Sequence, residues 1–173
     1  MKKRIALFRI LTLLCSLACA CTTYKTTEAV AQAFQEHKEA FASAVDSFKE
    51  LGFEGNYGYV HTLGTDRLAT FCADSKTCLV ETEGLHVHSE IELTEEQVNT
   101  AVTAAKKLMQ EIKINIISFC DEYIRFTLYD KNPYSWDPIL ACWLKGTPDE
   151  LKIGYGEDVV HVEGNWYACI MDR

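Results

Sequence analysis

Proline is scarce, at 3 of 173 residues, and two of these, Pro133 and Pro138, fall in one stretch, NPYSWDP. Nearly all of the chain is therefore free of the residue that ends helices and interrupts sheets. Long apolar runs are missing too: the longest near the N-terminus, Ile10 to Ala18, is roughly 9 residues, where a spanning helix needs about 20. Basic charge is short, with 17 Lys and Arg against 25 Asp and Glu and a net charge of −8. Such a balance argues against nucleic acid as a partner, because binding it rests on neutralising phosphates with Lys and Arg. There is no G-x-S-x-G elbow, no phosphate-cradling glycine loop and no internal repeat. Cys120, in SFCDEY, would need a base and a partner that orients it to act as a nucleophile, and the sequence locates neither.

The N-terminus is informative. MKKRIALFRILTLLCSLACAC carries Lys2, Lys3, Arg4 and Arg9, then a short apolar segment, then small residues. That is the layout of a secretory signal peptide, expected over residues 1–20. The end of the segment, Leu17-Ala18-Cys19-Ala20-Cys21, resembles the lipobox of bacterial lipoproteins. The resemblance implies that Cys21 is lipidated, with Cys19 as a second candidate; it departs from the usual pattern in having Ala18 where a leucine normally stands three residues before the cysteine. Ala18-x-Ala20 also satisfies an ordinary signal-peptidase site, the plain-secretion alternative. Acyl chains on Cys21 would hold the protein to the bacterial cell envelope, each buried methylene contributing about 0.8 kcal/mol; otherwise the protein is secreted or periplasmic. Removing residues 1–20 takes away four of the 17 basic residues and none of the 25 acidic ones, leaving a mature charge of −12.

In an exported chain cysteines default to disulfides. Cys72 and Cys78 flank ADSKT, and a turn at Asp74-Ser75-Lys76 would set them across a hairpin within bridging range. Cys142 with Cys169 is the second expected pair, because both lie in apolar segments of the C-terminal half.

Beyond a short tether at 21–26, residues 27–173 are expected to form a single α+β domain, two helices packed on an antiparallel sheet of several strands. A first helix is expected from about Thr27 to Leu51, with Val30, Phe34, Phe41, Val45 and Phe48 along one stripe and Gly52 at its end. A second begins at Thr94-Glu95-Glu96-Gln97, a capping-box pattern, and buries Val98, Ala101, Val102, Ala105, Leu108, Met109 and Ile112. Strands are expected at NYGYVHTL, RLATFC, CLVETE, LHVHSEIEL, INIISFC, EYIRFTLY, ILACWLKG, ELKIGYG, VVHVEG and WYACIM.

Two stretches carry candidate chemistry. In LHVHSEIEL, His86, His88, Glu90 and Glu92 alternate with Leu85, Val87, Ser89, Ile91 and Leu93, which reads as a strand with one dry and one wet face. His86, His88 and Glu90 have the donor types of a zinc site, but alternate residues on a strand stand roughly 7 Å apart, so a further ligand such as His61 or Asp66 would be needed. In NPYSWDP, Tyr134 and Trp136 between prolines form a candidate binding loop. The expectation is an envelope-anchored, non-enzymatic binding module, without a cofactor, whose partner is a basic envelope protein or a small ligand; the alternative is a metal-dependent hydrolase, with zinc as the candidate metal, built on the His-x-His-x-Glu strand.

Overall fold

The computed structural model describes residues 24, 26–52, 57–62, 78–82, 84–128, 138–146 and 158–170. The signal segment, Cys21, Cys72, Asp66, the RLATFC and ELKIGYG segments, and Tyr134 and Trp136 lie outside the described residues, as does the side chain of Cys78.

The architecture is α+β. Helices α1 (Thr27–Glu36) and α2 (Lys38–Lys49) precede strands β1 (Tyr57–Thr62), β2 (Cys78–Thr82) and β3 (Leu85–Ser89). Helix α3 (Glu95–Glu111) leads into β4 (Ile114–Cys120), β5 (Tyr123–Leu128), β6 (Ile139–Trp143), β7 (Asp158–Glu163) and β8 (Trp166–Ile170). The eight strands form one sheet in the order β2-β3-β1-β4-β5-β6-β8-β7, and every pairing is antiparallel. β1 therefore lies inside the sheet, with the β2–β3 hairpin folded outside it and α3 carrying the chain back to β4 on its other side.

The apolar stripe expected on the first helical segment is buried in full. Phe34, Phe41 and Phe48 recur every seven residues, roughly 10.5 Å along a helix, and each meets an aromatic ring on the sheet. Phe34 lies 4.8 Å from Trp166 of β8, Phe41 packs edge-on against Phe126 of β5 at 5.1 Å, and Phe48 stacks on Phe119 of β4 at 4.9 Å. Where one continuous helix was expected, the chain breaks at His37, giving three helices rather than two among the described residues. His37 leaves the helical region at φ −126° and ψ 24°, closing α1 and opening α2. Neither proline nor glycine is present there, so the cause is tertiary: the bend seats Phe34 on Trp166 and Phe41 on Phe126 together.

Helix α3 starts as its sequence indicates. The Thr94 hydroxyl accepts from the Gln97 amide at 3.3 Å, and the Gln97 side chain accepts from the Thr94 amide at 2.9 Å. Gln97 also donates to the Leu51 carbonyl at 3.1 Å, tying this helix start to the end of α2. Val98, Ala101, Val102, Ala105 and Leu108 are buried against α2 and against β1, β3 and β4.

Two glycines have steric reasons. Gly84 turns the β2–β3 hairpin at φ +79°, a conformation open to glycine. Gly58 pairs with Phe119, and a Cβ placed there would lie 2.6 Å from its ring. The missing side chain is what admits Phe119 beneath Phe48.

The second expected disulfide is not formed: Cys142 and Cys169 are not bonded to each other. β6 and β8 are neighbours, but Cys142 pairs with Trp166 and Cys169 pairs with Ile139. Cys142 joins the helix-side core while Cys169 packs with Ile139 and Ala141 on the opposite face. The sheet itself stands between the two thiols. Burial pushes the Cys142 thiol up to about 11.

Candidate functional site

Helices cover one face of the sheet; the other is built from the alternate residues of the same strands. Register sets them in ranks across the sheet. One rank runs His88, Tyr59, Ser118, Arg125, Ala141, Tyr167, His161. Beside it runs His86, His61, Ile116, Thr127, Ile139, Cys169, Val159. Towards one end Tyr57 pairs with Cys120 and Tyr123 with Trp143. Over β6 and β8 these ranks are apolar, gathering Ile139, Ala141 and Cys169 with Val159 of β7. Over β3, β1, β4 and β5 they are aromatic and polar, and this half is the candidate site.

The parity that makes this face polar depends on an irregularity in β4. Ile114 pairs with Leu128 but Ile116 pairs with Thr127, so Asn115 is an extra residue that shifts the register. Ile114 consequently belongs to the helix-side core, whereas Ile116 packs with Tyr59 and Tyr57.

His86 and His88 were expected on the wet side of a strand, and here the structure corrects the sequence reading. The dry face is as expected, with Leu85, Val87 and Ser89 buried. The other face is not wet: His88 is 3% exposed, His61 3% and Thr127 0%. β3 also ends at Ser89, leaving Glu90 exposed just beyond it.

His61 does lie beside His86. The β1–β3 register makes them direct cross-strand partners, and Glu81 of β2 stands opposite His86 on its other side. His88 is engaged differently, its ring stacked on Tyr59 at 4.6 Å and 18°. Among the described residues no three His, Cys, Asp or Glu converge as a metal-ligand group. Burial holds both His61 and His88 below the usual imidazole range, and the neighbouring His86 pushes His61 further in the same direction. Both rings are accordingly neutral at physiological pH.

At the other end of the site Tyr123 and Trp143 meet edge to face at 5.1 Å. Burial pushes the Tyr57 and Tyr123 phenols up, while the nearby Arg125 guanidinium pulls them back. Cys120 is half-buried, and its thiol donates to the Tyr123 carbonyl at 3.7 Å. Burial raises its pKa and the adjacent Glu122 and Asp121 charges add to the effect, so it is held as the thiol rather than the nucleophilic thiolate.

Among the described residues, several buried polar atoms on this face have no hydrogen-bond partner: Nδ1 of His61, Nδ1 of His86, Oγ1 of Thr127 and Nε1 of Trp143. Buried polar groups in folded proteins are nearly always satisfied. Four in one layer are a departure from that rule. The contrast with His161, at the far edge of the sheet, is direct: it is exposed and bonds the Gly164 carbonyl at 2.8 Å.

Sequence reasoning found His86 and His88 and named His61 as a further candidate beside them, but missed Tyr57, Tyr59, Ser118, Arg125, Thr127 and Trp143 on this face. The available signal was Tyr57-x-Tyr59-x-His61, an aromatic and imidazole alternation in phase with His86-x-His88. No protein-family model matches the chain, and no curated protein or solved structure matches it.

Proposed function

We propose that this chain is an exported, lipid-anchored envelope protein that acts as a binding module, and that it holds a small polar ligand against the second face of its sheet. The observation that carries this reading is the layer of four buried polar atoms, without partners among the described residues, beside Tyr57, Tyr59, Tyr123 and Arg125. Leaving such an atom unsatisfied costs about 1–3 kcal/mol, a cost that a ligand supplying matching donors and acceptors removes. Aromatic rings flanking a few placed polar groups are the usual make-up of small-ligand sites. A small ligand suits this face better than a protein partner does, because its central side chains are buried. The acidic exterior is the surface that a basic envelope protein would meet, and that reading has no comparable structural feature behind it.

Anchoring rests on the N-terminal segment and Cys21; no helix among the described residues is long and apolar enough to cross a membrane. Intact mass of the protein from its native membranes, with and without reductant, tests that half: an acylated chain beginning at Cys21 is expected, and an unacylated one contradicts it. Native mass spectrometry of the same preparation tests the other half. The expected result is a non-covalent adduct released on denaturation and lost in Trp143→Phe with Thr127→Val; a preparation with no adduct overturns the binding reading.

A further inference from the structure

The sequence points to His86 and His88 as metal ligands, but the fold assigns the pair differently. His88 is committed to its stack on Tyr59, and its neighbour on the same strand stands two residues away. His61 and His86, by contrast, are direct partners across the β1–β3 ladder. Directly opposite residues on one face of an antiparallel pair have Cβ atoms about 4.5–5.5 Å apart, close enough for two imidazoles to share one ion with bonds of about 2.0–2.1 Å. Both rings keep a buried Nδ1 without a hydrogen-bond partner among the described residues. On the β4 side His61 faces Ile116, whose side chain offers no polar group to satisfy it.

We propose that the cross-strand pair His61 and His86 is a binding site for a divalent transition-metal cation such as Zn2+, with water completing the coordination. Imidazole suits zinc, copper and nickel better than it suits magnesium or calcium, which take oxygen ligands. The neutral ring is the ligating form, and burial together with the facing His86 keeps His61 neutral. Two imidazoles and water are an open coordination sphere. The site therefore differs from a closed structural zinc site, and it does not depend on the small-ligand reading above.

The test is isothermal titration of Zn2+ into the untagged mature chain, residues 21–173, after chelator treatment. One saturable site per chain is expected, weakened about tenfold or more by His86→Gln and by His61→Gln, and left unchanged by His161→Gln. His86 is only half-buried, so its variant is informative even where His61→Gln fails to fold, and far-ultraviolet circular dichroism reports folding for each. Thr127→Val separates the two readings: it is expected to leave zinc binding intact while releasing the native ligand. Absence of saturable binding, binding that survives His86→Gln in full, or binding lost in His161→Gln overturns the proposal.

Discussion

The two faces of the sheet are cut from the same strands, one residue after the other, yet they obey different rules. On the helix side every large group has an apolar or aromatic neighbour: Phe34, Phe41, Phe48, Phe119 and Phe126 interlock with Trp166 and are almost entirely buried or, for Trp166, partly so. On the other side the burial is as deep at its centre, but the groups are histidines, tyrosines, Ser118, Thr127 and Arg125, and several polar atoms go unanswered. Burial on the first face stabilises the protein; on the second, the buried polar atoms left unpaired among the described residues offset part of that gain. Unpaired polar atoms among aromatic rings are what the proposed binding role rests on.

That comparison can be broken most forcefully from the helix side. Phe41→Ala is expected to lose about 3–5 kcal/mol, because the ring is fully buried and touches Phe34, Phe126 and Trp166. Urea unfolding measures it; a loss below 1 kcal/mol, on the order of an ordinary surface substitution, would mean that the aromatic contacts do not carry the core. Gly58→Ala is expected to cost about 1–3 kcal/mol by overpacking, since the new methyl meets the Phe119 ring on a face with no room to spare. A tolerated alanine at 58 would show that Phe119 can retreat from Phe48.

Acid probes the second face. His61 and His88 have folded-state values below the ordinary imidazole value, with burial the main cause. The unfolded chain then binds more protons than the folded one as pH falls below about 6.5. Their contribution is neutral above that value, and stability is lost as pH drops from about 6.5 towards the folded values. Unfolding followed from pH 7.5 to pH 5 is expected to show this loss, and His61→Gln with His88→Gln is expected to flatten it. An unchanged slope in the double variant would place the acid sensitivity elsewhere.

Much of the helix side was legible in the sequence. Phe34, Phe41 and Phe48 share one helical stripe, Thr94 and Gln97 announce the start of α3, and Leu85, Val87 and Ser89 mark the dry side of β3. These are local patterns, and period alone identifies them. The break at His37 was not legible, because no local residue causes it; it answers to two aromatic contacts on strands far along the chain. The second face was hidden for a related reason. Alternation tells which residues share a face, and it assigns the polar set to water by default, so His86 and His88 read as a wet edge. That the face is buried, and that His61 rather than His88 is the partner of His86, follow from the β1–β3 register, a pairing between segments separated by the β2 hairpin. The Cys142 and Cys169 pairing failed on the same ground: both segments are apolar, but only the register shows that the two thiols lie on opposite sides of the sheet.

Thr127→Val in the ligand-free, refolded protein tests the central claim most directly. Thr127 is fully buried with an unpartnered hydroxyl, so an apolar side chain of nearly the same shape is expected to raise the unfolding free energy by about 1 kcal/mol. The same substitution is expected to weaken retention of the ligand in protein taken from native membranes. A variant that is less stable than wild type after refolding would show that the hydroxyl is already satisfied within the chain, and would contradict the account of the second face as a surface built to meet another molecule.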